Sequence, residues 1–196
     1  MTEGHRNNFP EAIASDVPGR RSLRTVLVLA LISLGMSSSA AAAVEPASLP
    51  THIRCLPGGA RELLTAAMSQ SASVRGLVDS LEQTDVVAYL TLSAESRPGW
   101  PRASLSFVSS AAGTRYVLIR IDAWRVLSQI DRISKLGHEL WHALEVAAAQ
   151  EVTTENGLRE LYRRIGHERN GTRFETDQAR AVERDVRMDL LFPRHQ

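Results

Sequence analysis

At 196 residues and 43% apolar content the chain is long enough to bury one hydrophobic core, and its length favours a single domain. Its formal charge of +1 supplies no basic footprint, so nucleic acid is excluded from the expected partners. The cations are almost all arginine, with Lys135 the only lysine, a compositional habit that carries no functional signal.

Residues 1–43 read as a secretory signal peptide with an extended polar n-region. Arg20, Arg21 and Arg24 precede an apolar run from Thr25 to Gly35, and Ser37 to Ala43 then supply small residues. Ala41-Ala42-Ala43 fits an A-x-A cleavage site, so the mature chain is expected to begin near Val44 and to be periplasmic or extracellular. The run is shorter than the about 20 apolar residues a membrane-spanning helix needs. Membrane contact is therefore expected only if the leader stays uncleaved as an anchor. Arg20-Arg21-Ser22-Leu23-Arg24 loosely resembles a twin-arginine export signal, but an ordinary basic n-region accounts for it. Cys55 is the one cysteine, which rules out an intrachain disulfide.

Residues 44–57 are dotted with proline and read as a linker or arm; a domain over 58–192 follows. Gly58-Gly59 leads into Ala60 to Glu82, where Leu63, Leu64, Ala67, Val74, Leu77, Val78 and Leu81 recur at helical spacing. A break is expected near Ser69 to Ser73. Asp85 to Ser93, Ala103 to Ser109 and Arg115 to Ile121 suit strands, with a loop over Ser96 to Pro101. Ala111-Ala112-Gly113 joins the second and third strands as an antiparallel hairpin.

From Asp122, a candidate N-cap, the apolar period changes to that of a helix, expected from about Trp124 to about Gln150. Thr153 or Thr154 can cap a second helix, Glu155 to Ile165, which Gly166 ends. Asn170-Gly171 marks a turn. Thr172 or Thr176 then opens a third helix, running to about Leu191 before Pro193. The expected fold class is α+β: a small, mostly antiparallel sheet packed by an N-terminal helical segment, one long helix and two C-terminal helices.

That long helix carries His138-Glu139-Leu140-Trp141-His142. A helix turns once in about 3.6 residues, so the two histidines stand one turn apart on one face and can converge on one Zn²⁺. Glu139 stands beside the pair as the candidate catalytic base for a zinc-bound water. Glu145 shares the histidine face and is either an alternative ligand or the group that orients an imidazole N–H. Leu136, Leu140, Leu144 and Ala147 occupy another face, suited to the core. Gly137 leaves room for a close approach by a neighbouring element.

A strand hairpin followed by this helix resembles the metal-binding half of the zincin metallopeptidases, of the gluzincin type. Over about Val74 to Leu190, Leu136 to Glu145 together with Phe174-Glu175-Thr176-Asp177 is similar to small exported bacterial proteins of uncharacterised function. The glycine and third histidine of the metzincin extension are absent. The resemblance implies a third ligand from a glutamate on a downstream helix, and Glu175 is the choice. Glu160, Glu145, His167 and Asp177 remain alternatives.

Tyr162 and His167 are candidate donors to an oxyanion, each with a plain packing or surface alternative. The function expected is an exported zinc peptidase acting on a peptide or protein substrate, which an adjacent strand edge could hold. A zinc-stabilised module without turnover and a metal-free envelope interaction protein are the alternatives.

Overall fold

A computed structural model describes residues 50–95, 101–126, 128–169 and 173–193. The expected signal peptide and the Asn170-Gly171 turn lie outside the described residues, as does the loop from Ser96 to Trp100. Among the described residues no helix is long and apolar enough to cross a membrane.

The first element among the described residues is a short strand, β1 (Ile53–Cys55), inside the stretch expected to be an arm. Gly58 and Gly59, at φ 103 and 90, turn it into helix α1 (Ala60–Gln70), a left-handed step that costs glycine little. The expected break falls at Ser71, which is extended; its hydroxyl accepts from Val74 N and so caps α2 (Ala72–Leu81). Strands β2 (Val86–Ser93), β3 (Ala103–Ala111) and β4 (Thr114–Asp122) follow. Ala112 and Gly113, both at positive φ, form the two-residue turn of the β3–β4 hairpin, a backbone whose twist matches that of its strands.

The α+β class holds, but the sheet is mixed rather than mostly antiparallel. Its order is β1-β2-β4-β3, with β1–β2 and β2–β4 parallel and only β3–β4 antiparallel. The reason is topological. After β2 the chain runs to the outer edge for β3, and the hairpin then returns β4 between β3 and β2.

Helices cover one face of this sheet. Val86, Ala88 and Leu90 of β2 join Val117, Ile119 and Ile121 of β4 in the core, while the alternate residues Tyr89, Tyr116 and Leu118 are half-buried. Helix α3 (Gln129–Ala148) lays Ile133, Leu136, Leu140, Ala143 and Val146 into that core, all of them fully buried. The expected N-cap Asp122 does not start it. Asp122 Oδ1 accepts instead from Trp124 N and Arg125 N, both at 3.0 Å, because a short acidic side chain is well placed to close a local turn. Ser128 takes the capping role, accepting from Asp131 N at 3.0 Å.

The other end of α3 is held by Arg115, which is 3% exposed at the start of β4. Its guanidinium donates to the carbonyls of Val146 at 2.7 Å, Ala149 at 2.6 Å and Ala147 at 3.0 Å. It also donates to both carboxylate oxygens of Asp85, at 2.8 and 2.6 Å. Every N–H of the side chain is thus engaged, and the carbonyls that a helix end leaves orphaned are satisfied.

Helix α4 (Glu155–Ile165) starts at Thr154, as expected, with Thr154 accepting from Gly157 N at 3.0 Å. A small hairpin, β5 (His167–Arg169) with β6 (Arg173–Glu175), then leads to α5 (Asp177–Leu191), capped by Thr176. Helix α5 packs against α3 at Gly137, where an added Cβ would sit 2.7 Å from Val186 Cγ2. The valine is stiff at χ1 and cannot swing away cheaply. Gly137→Ala is expected to cost about 1–2 kcal/mol in a urea melt, because overpacking outweighs the roughly 1 kcal/mol gain in helix propensity. A net gain in stability would contradict the close approach of α5.

Candidate metal centre

The chemistry-bearing residues meet where α3 and α5 run side by side. His138 and His142 stand one helical turn apart with their ring centroids 4.8 Å apart and their planes at 79°. Their Nε2 atoms are 3.1 Å apart, and the two residues are 5% and 6% exposed. The hairpin β5–β6 returns the chain so that Glu175 Oε1 lies 3.0 Å from His138 Nε2 and 3.6 Å from His142 Nε2. These three side chains each offer one ligand atom, all within 4.8 Å of one another, and together could hold a metal ion.

Glu175 thus stands where the sequence placed it, but on a different element. It ends strand β6 rather than opening a helix, and the helix cap falls to the next residue, Thr176. Strand backbone aims the carboxylate across the groove while the cap fixes the chain behind it.

Behind these three candidate donors lies a shell of hydrogen bonds and ion pairs. Glu145 Oε2 accepts from His142 Nδ1 at 2.7 Å, and its Oε1 accepts from Trp141 Nε1 at 2.9 Å and from Thr176 Oγ1 at 2.7 Å. Glu145, expected either as a ligand or as an orienting group, thus contacts His142 at Nδ1 and not at the Nε2 that faces Glu175. His138 Nδ1 lies 3.0 Å from Glu183 Oε2, an ion-pair distance without an aligned hydrogen bond. Glu183 Oε1 in turn meets Lys135 Nζ at 2.7 Å.

The places of Glu183 and Lys135 at the site, and the contact of the cap Thr176 with Glu145, carry no signal in the sequence; they become visible once α3 and α5 are known to pair.

Four glutamates therefore surround two imidazoles, with Lys135 as the nearby cation. Burial opposes a charge on His138, yet Glu175 and Glu183 outweigh it and lift the ring to about 9. Burial likewise opposes His142, and Glu145 with Glu175 lifts it to about 10. Burial pushes Glu175 up, but the two imidazoles prevail and hold its carboxyl far below the usual range. Glu139 moves the other way: it is 3% exposed, and burial raises its carboxyl above the ordinary value despite both rings.

The site thus calls for positive charge at the histidine pair. Two imidazolium rings would point N–H groups at each other across 3.1 Å. A divalent cation between the three donors meets the same demand without that clash. Glu139 Oε2 and Glu175 Oε1 are both buried without a hydrogen-bond partner. An orphaned carboxylate oxygen is costly in a protein interior unless something polar or charged completes it.

The remaining candidates fall elsewhere. Glu160 pairs with Arg163 on an exposed face of α4, and His167 faces Asp177 at 3.3 Å in an exposed pair. Tyr162 sets its ring edge-on to His142, centroids 5.1 Å apart, and its hydroxyl is 3.4 Å from the His142 carbonyl oxygen. It packs against the site from the side of α4, and burial raises its hydroxyl well above the ordinary range. A surface cleft at the C-terminal end of α3, bordered by Asp85, Arg115 and Gln150, includes none of the ligating side chains. Arg115 has no donor left to offer there.

No protein-family model matches the chain, no curated protein matches it and no solved structure matches its fold.

Proposed function

We propose that the protein is an exported zinc-dependent peptidase of the zincin kind, with His138, His142 and Glu175 as ligands and Glu139 as the base. The observation that carries this reading is the His138–His142–Glu175 triangle beside the unpartnered carboxylate of Glu139. Two imidazoles and one carboxylate are a donor set common to catalytic zinc. Tetrahedral ligands at about 2.0–2.1 Å from zinc stand roughly 3.3–3.4 Å apart, and the contacts of 3.0, 3.1 and 3.6 Å bracket that value.

Zinc held there supplies a Lewis acid and lowers the pKa of water. The chain's own residues do the rest. Burial makes Glu139 a stronger base than an exposed glutamate, so its Oε2 can take a proton from water and pass it to the leaving amine. The nine-residue strand β3, an edge strand among the described residues with its Phe107 N–H taken by Glu155, supports an extended peptide as substrate.

The test is Glu139→Gln in zinc-loaded protein assayed on a peptide library. Zinc content is expected to stay at wild-type level while cleavage falls by about 10²–10⁴-fold. Cleavage retained by this variant removes Glu139 from the mechanism.

A second reading, a zinc-stabilised binding module, is favoured by the burial of the imidazoles, whose side chains are only 6% and 8% exposed. Zinc-loaded wild type that cleaves no member of the library supports the module over the peptidase.

A further inference from the structure

We infer that Thr176 is a positioning residue for the metal centre, tying the start of α5 to the carboxylate that orients His142. The inference rests on reading His138, His142 and Glu175 as metal ligands.

Thr176 is 4% exposed, and its single hydroxyl is used in both directions. Oγ1 accepts from Ala179 N at 3.2 Å, capping α5, and donates to Glu145 Oε1 at 2.7 Å. One oxygen therefore joins the N-terminus of α5 to the last turn of α3. Glu145 holds the Nδ1 proton of His142 with its other oxygen at 2.7 Å, which leaves the Nε2 lone pair turned toward Glu175 and His138. Fixing one imidazole nitrogen by an acceptor in this way sets both the tautomer and the ring plane.

The residue before Thr176 is Glu175, the third ligand. A single backbone step thus carries one donor and the clamp on another donor's support. Without the hydroxyl, Oε1 of Glu145 loses the Thr176 donor and keeps Trp141 Nε1, so the carboxylate is held less firmly against His142. A residue serving only as a helix cap would leave the geometry of His142 untouched. That difference makes the two roles separable.

The test measures the zinc Kd by competition with a chromophoric chelator, the visible spectrum of the cobalt-substituted protein, and the melting temperature in excess chelator. Thr176→Val is expected to raise the zinc Kd about 10–100-fold and to shift the cobalt bands. Thr176→Ser, which keeps the hydroxyl, should restore the Kd to within about threefold. In a Glu145→Ala background, Thr176→Val should leave the Kd unchanged within about twofold, because the link is already cut, yet still lower the metal-free melting temperature through the lost cap.

An equal rise in Kd in both backgrounds, or none in either, overturns the inference. Should Thr176→Val not fold, Glu145→Gln, which leaves the α5 cap intact, must shift the cobalt spectrum; an unchanged spectrum overturns the inference as well. Wild-type protein that takes up neither zinc nor cobalt refutes the metal reading itself, and this inference with it. Uptake by wild type that Thr176→Val leaves unaltered refutes the inference alone.

Discussion

His138→Ala is expected to lower affinity for zinc by about 10³-fold, since the proposed site loses one of its three protein donors and structural zinc sites bind with roughly 10–16 kcal/mol in all. Equilibrium dialysis followed by elemental analysis of untagged protein reads this directly. The same variant leaves Glu175 and Glu183 facing each other without the imidazole that both approach. The metal-free variant is therefore expected to melt below metal-free wild type.

Protons compete with the metal for the same nitrogens, which gives a pH dependence of known sign. The rings are raised to about 9 and about 10 in the native state, against about 6.5 for a free histidine. Proton binding therefore stabilises the metal-free fold fully below about pH 6.5, and that contribution is lost as the pH rises through 9 to 10. Over the same window zinc affinity should climb, because fewer protons must leave. Urea melts in chelator at pH 6 and pH 9.5 should show the metal-free protein weaker at the higher pH. Equal stability at the two values would mean that the carboxylates do not hold protons on the pair.

Arg115→Met is expected to be the most destabilising single change outside the centre, at about 3–5 kcal/mol, the cost of breaking a buried hydrogen-bonded charge. In a body of this size that lowers the melting temperature by roughly 10–15 °C. The cause is the three carbonyls at the end of α3, which lose the guanidinium; Val146 and Ala149 keep one backbone donor each, from Ala149 N and Val152 N. Asp85 is 44% exposed at its side chain and can return to water. Asp85→Asn should therefore cost under about 1 kcal/mol, the value of an exposed pair. If the two variants cost the same in a thermal melt, the ion pair and not the helix end is what Arg115 stabilises.

The legible part of this fold was what short-range chemistry encodes. The apolar stripe of α3, the turn at Ala112-Gly113, and the caps Thr154 and Thr176 could be read from spacing and side-chain type. The histidine pair was legible for the same reason, since helical spacing alone brings the two rings together.

Strand β1 was hidden by its three-residue length between Pro50 and Pro57, where hydrophobic alternation has no room to show. Strand sense was hidden because a hairpin in sequence does not reveal which of its arms a third strand will join. Arg115 and Glu183 carry no local pattern; Arg115 acquires its role from a helix that comes later in the chain, and Glu183 from one that comes earlier. Glu175 was chosen as a residue opening a helix, and it reached the site from the end of a strand.

The candidate centre is closed by elements that follow the histidine motif in the chain. Both imidazoles are in place once α3 has formed, but the third donor, the Thr176 clamp and the Glu183 contact all come with β6 and α5. During synthesis, a nascent chain that has emerged only through α4 carries the histidine motif without a finished site. A product truncated before β6 would therefore display the histidine motif while lacking the third donor, and is expected to take up no zinc.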